Sequence, residues 1–66
     1  MTTTQLIINM QETGIVSGAE NIRVANERIA AARRATPEAD RPKFRSYVRW
    51  IRSEGCYEWG WVLRGY

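Results

Sequence analysis

Histidine is absent from this chain, and cysteine, lysine and phenylalanine occur once each. Without histidine, the commonest general base at neutral pH is missing. A lone thiol, Cys56, excludes an internal disulfide and, with no imidazole, the usual Cys/His zinc spacing. Wholly apolar runs are only a few residues long, far short of a membrane span, and the N-terminus lacks the basic region and apolar core of a secretory signal. These absences describe a soluble, cytoplasmic protein with no metal and no cofactor. Nor is there a Gly-rich phosphate loop or a Ser or Cys with a plausible base beside it, so a non-enzymatic role is expected.

Sixty-six residues form one small domain, near the size at which a single core barely outweighs chain entropy. The net charge of +3 is unevenly placed. Residues 1–40 carry four arginines against five carboxylates, net −1, whereas residues 41–66 carry six cations against two carboxylates, net +4. Nine of the ten basic residues are arginine, the planar cation that stacks and binds oxyanions bidentately. The positive field belongs to the C-terminal half and favours an acidic or polyanionic partner.

Thr4, Leu6, Ile8 and Met10 alternate with Gln5, Ile7, Asn9 and Gln11, which predicts a strand over 4–11. Thr13-Gly14 and Ser17-Gly18 read as turn material around Ile15-Val16. Two readings compete for 18–35. In one, Ser17 and Glu20 form a capping box for a single helix with Ile22, Ala25, Ile29 and Ala32 on its stripe. In the other, Asn21 to Ala25 is a short strand and Asn26 caps a helix from Glu27 to about Ala35. Val24 lies off the helical stripe but beside Ile22 in a strand, and we take the second reading. Residues 36–43, with Pro37 and Pro42, are expected to form a connecting loop.

Phe44 to Arg64 is the densest stretch: FRSYVRWIR and CYEWGWVLR flank Ser53-Glu54-Gly55 and interleave arginine with aromatic and β-branched residues. It predicts a hairpin with a three-residue loop, Gly55 taking the left-handed position and Arg52 pairing with Cys56. A helix over 44–53 is the rival, since Phe44, Tyr47, Val48, Trp50 and Ile51 also share one side of a helical wheel. The expected architecture is α+β, a small antiparallel sheet of three to four strands with one helix on one face (ββαββ or βαββ), or βααβ if 44–53 is helical.

The expected pairing sets Arg49 opposite Trp59 and Tyr47 opposite Trp61, on a face that also holds Arg45 and Tyr57. Burying arginines in a small core is costly unless they are paired, so this face is expected to look outward, with the helix over Val48 and Val62. The alternative makes Tyr57, Trp59 and Trp61 the core, with arginine stems passing over them. The candidate partner-binding residues are therefore Arg45, Tyr47, Arg49, Arg52, Tyr57, Trp59 and Trp61. Arginine and aromatic residues suit protein hot spots and single-stranded nucleic acid alike. A permanently packed oligomer is a third possibility.

The order of strand 4–11, short strand Ile22-Arg23-Val24-Ala25, Asn26-capped helix and hairpin closed by Ser53-Glu54-Gly55 resembles several tiny phage-encoded inhibitor proteins, among them compact anti-CRISPR proteins and host-polymerase inhibitors. The resemblance is architectural. It implies a protein-binding inhibitor that blocks a host protein or nucleoprotein complex by occupying a surface, with a small DNA- or RNA-binding protein as the alternative.

Overall fold

A computed structural model describes residues 10–65. Along the chain run strand β1 (Glu12–Ser17), helix α1 (Asn21–Ala35), a 3-10 helix (Glu38–Lys43), strand β2 (Phe44–Ile51) and strand β3 (Cys56–Leu63). The strands form one antiparallel sheet in the order β1-β3-β2, with α1 packed on one face. The α+β expectation with a β-hairpin over 44–63 holds, and the helical rival for 44–53 does not.

The expected strand 4–11 lies outside the described residues except for Met10 and Gln11, which are turn and irregular backbone. The first described strand is instead Glu12–Ser17, so Thr13-Gly14, read as a turn, is inside β1. Gly14 pairs with Trp59, and a Cβ there would stand 2.6 Å from the indole Nε1. This glycine seats a large ring on the sheet.

Helix α1 is continuous, contrary to the expected division into a strand at Asn21 to Ala25 and a helix capped by Asn26. The chain turns at Ser17, whose amide donates to the Glu20 carboxylate at 3.0 Å while its Oγ accepts from Ala19 N–H at 3.2 Å. Asn21 adopts φ +65°, a conformation asparagine tolerates better than most residues, and its Oδ1 accepts from Arg23 N–H at 2.8 Å. Asn21, not Asn26, thus supplies the start signal. Beyond it the Ala-rich segment has high helix propensity and buries Ala25, Ile29 and Ala32. Val24, which favoured a strand, is half-buried beside that stripe, while Ile22 is left exposed.

The helix stops at Thr36, whose amide donates to the carbonyls of Ala32 and Arg33 and whose hydroxyl donates to Ala32 O at 2.9 Å. Pro37 follows, and residues 38–43 make a 3-10 helix where a loop was expected. Arg41 Nε, projecting from that helix, donates to Arg33 O at 3.0 Å and Thr36 O at 3.1 Å. It satisfies carbonyls at the end of α1, where the helix dipole favours a cation.

The hairpin closes one residue differently from expectation. Ile51 pairs with Cys56, so the loop is Arg52 to Gly55, and the amides of Glu54 and Gly55 both donate to Ile51 O. Gly55 does take the left-handed conformation, φ +61°. The extra loop residue shifts the register by one, and a one-residue slip exchanges the faces. Phe44, Ser46, Val48 and Trp50 now share a face with Tyr57, Trp59, Trp61 and Leu63, and this is the face under α1. Trp59 and Trp61 are 7% and 3% exposed and belong to the core with Val16, Ala25, Ile29, Ala32, Phe44 and Leu63. The expectation that both tryptophans look outward is therefore corrected: they are the large side chains that a small core requires.

Candidate functional site

The face of the sheet away from α1 presents Thr13, Ile15 and Ser17 on β1, Cys56, Glu58, Gly60 and Val62 on β3, and Arg45, Tyr47, Arg49 and Ile51 on β2, as the two registers require. Tyr47 lies opposite Gly60, and its ring occupies the space that a Cβ at residue 60 would need. The absence of that Cβ lets the phenol lie against the central strand. On one side of Tyr47 the guanidinium of Arg45 stands 5.7 Å from the ring centroid; on the other Arg49 Nε donates to Glu58 Oε1 at 2.9 Å. Arg45, Tyr47, Arg49 and Glu58 line a shallow cavity of about 410 Å³. Ile15, 56% exposed, extends the face across β1.

The hydrogen bond from Arg49 holds Glu58 below the usual carboxylate range, against the opposing effect of burial. Burial, reinforced by hydrogen bonding to the Glu58 carboxylate, pushes the Tyr47 phenol up. At neutral pH the cluster is therefore two guanidinium cations, one carboxylate and a neutral phenol. Such a set offers donors, a ring and fixed charge to a partner.

The expected site residues thus divide. Arg45, Tyr47 and Arg49 come together on the open face. Arg52 is exposed in the hairpin loop. Trp59 and Trp61 are in the core, and Tyr57 is half-buried on the α1 face, its ring 4.7 Å from that of Trp50 in an edge contact. Trp50, which the sequence did not single out, is the exposed tryptophan at 49%. Cys56 begins β3 as a small buried residue, its thiol pushed up by burial and then by Glu54.

A second cavity, of about 470 Å³, opens where the end of α1, the 3-10 helix and the edge strand β2 meet. Arg33, Arg41, Arg45 and Arg64 all line it, with Phe44 and Trp61 among its walls. Phe44 and Trp61 stack at 5.3 Å with an interplanar angle of 7°, and Arg33 lies 5.0 Å over the Trp61 ring. Trp61 Nε1 donates to Thr36 Oγ1 at 2.9 Å. Only Arg45 of these arginines was a candidate in the sequence. The others are separated along the chain and were visible there only as charge.

No family model, curated protein or solved structure matches the chain. Among the described residues no group of three or more Cys, Asp or Glu could hold a metal ion, and no helix is long and apolar enough to cross a membrane.

Proposed function

We propose that this chain is a non-enzymatic binding module that docks on a protein surface through the open face of its sheet. The observation that carries the reading is the Arg45-Tyr47-Arg49 row with exposed Ile15 across β3 from it, on a face over which α1 does not pass. Tyrosine and arginine supply much of the energy of protein interfaces, and Tyr47 is already held by its contact with Gly60. Arg45 and Arg49 add positive charge that would steer association with an acidic patch. Docking of this kind is how an inhibitor of the phage-encoded anti-CRISPR or host-polymerase type would act, with a host protein or nucleoprotein complex as target.

The test is capture from a nuclease-treated bacterial lysate by the immobilised chain, by Tyr47→Ala/Arg49→Ala, and by Arg28→Ala on the exposed side of α1. One defined protein partner, retained by Arg28→Ala and lost by the double variant while its circular dichroism is unchanged, is the expected result. Equal capture by all three chains removes the open face from the function. Trp59→Ala and Trp61→Ala are unsuitable probes, because both rings are structural.

A further inference from the structure

The acidic side chains of the described residues do not reach the 470 Å³ cavity as partners. The ion pairs formed are Arg23 with Glu27, Lys43 with Asp40 and Arg49 with Glu58. Arg33, Arg41, Arg45 and Arg64 line one cavity and share no carboxylate among the described residues. They are nevertheless held in place. Arg41 and Arg64 spend their Nε–H groups on backbone carbonyls, Arg64 on Phe44 O at 3.0 Å, which leaves their terminal NH2 groups as donors. Arg33 and Arg45 rest against the rings of Trp61 and Tyr47. Four like charges gathered around one space repel each other, and their anchoring lowers the ordering cost of meeting an anion.

We propose that this cavity is a binding site for a run of consecutive phosphates. Guanidinium forks match phosphate oxygens bidentately, and four of them exceed what one phosphate needs. A chain of phosphates, as in a nucleic-acid strand or a nucleoside triphosphate, supplies charge in the required amount. The buried stack of Phe44 on Trp61 leaves little ring surface for a base, so recognition is of backbone charge rather than of sequence. The site lies at the β2 edge and is separate from the Tyr47-Arg49 docking face except for the shared Arg45, so either assignment can fail alone.

The probes are a fluorescently labelled single-stranded oligonucleotide, followed by anisotropy from 50 to 300 mM salt, and tripolyphosphate as competitor. Four phosphate contacts give a log-log salt slope of about −2.8 for a single strand. Arg33→Gln/Arg64→Gln changes two exposed residues outside the docking face; it reduces that slope by about 1.4 and weakens binding about 25-fold at 0.1 M salt. The control Arg28→Gln loses at most the share of one contact. Displacement by tripolyphosphate at concentrations comparable to oligonucleotide phosphate identifies a small polyphosphate ligand; resistance to it identifies a strand. No binding of the oligonucleotide at 50 mM salt, or equal loss in the Arg28→Gln control and the double variant, overturns the proposal.

Discussion

Removing the Thr36 hydroxyl is the sharpest test of how α1 is tied to the sheet. Thr36 is 2% exposed, donates to Ala32 O at 2.9 Å and accepts from Trp61 Nε1–H at 2.9 Å. Thr36→Val keeps the shape but strands the indole N–H in the core, a cost of about 1–3 kcal/mol. A 66-residue domain has about 3–10 kcal/mol in total, and each kcal/mol moves Tm by about 4–8 °C at this size. A fall in Tm of about 5–20 °C is therefore expected. Trp61→Phe removes the donor while Thr36 keeps its bond to Ala32, so its cost comes from the lost ring, the residual cavity and the Arg33 contact. With no indole N–H to strand, Thr36→Val is milder in the Trp61→Phe background, by about 1–2 kcal/mol. Urea unfolding followed by far-UV circular dichroism reads all four corners of the cycle. Equal cost of Thr36→Val in both backgrounds, or a single-variant effect below about 0.5 kcal/mol, would refute the clasp.

Gly14→Ala should destabilise by about 1–3 kcal/mol because its methyl meets the buried Trp59 indole, whereas Gly55→Ala meets no atom and is penalised by about 1 kcal/mol for its left-handed backbone; an unchanged urea midpoint for Gly14→Ala would contradict this seating. Glu58 has a lowered folded-state pKa, so its contribution to stability is present above the ordinary carboxylate range and disappears as pH falls through its own value. Glu58→Gln should accordingly lower the urea midpoint at pH 7 slightly and not at pH 2, the pair with Arg49 being largely solvent-screened. Cys56 should react with an uncharged alkylating reagent much more slowly in the folded chain than in urea, since its thiol is buried and pushed up; equal rates would place it outside the core.

How far the sequence could be read follows from which interactions are local. The hairpin, the left-handed Gly55 and the Ser17-Glu20 turn are encoded within a few residues of where they act, and each was legible from those neighbours. The start of α1 at Asn21 was missed because Asn26 was read as the cap, and Val24 suited that wrong reading because periodicity over five residues separates a strand from a helix edge poorly. The arginine cavity was illegible. Arg33, Arg41, Arg45 and Arg64 come from α1, the 3-10 helix, β2 and the turn after β3, and nothing in their spacing announces that they converge.

By itself, the sequence determined that this is a small α+β chain with a basic, aromatic hairpin, because composition, turn residues and alternation act locally. Which face of that hairpin meets α1 was decided by tertiary structure. One additional loop residue, Arg52, moves every β2 side chain to the opposite pairing, and the helix then covers the face on which Trp59 and Trp61 join Phe44 and Leu63 to fill the core. The period of a strand is two, so a single residue of register exchanges inside for outside.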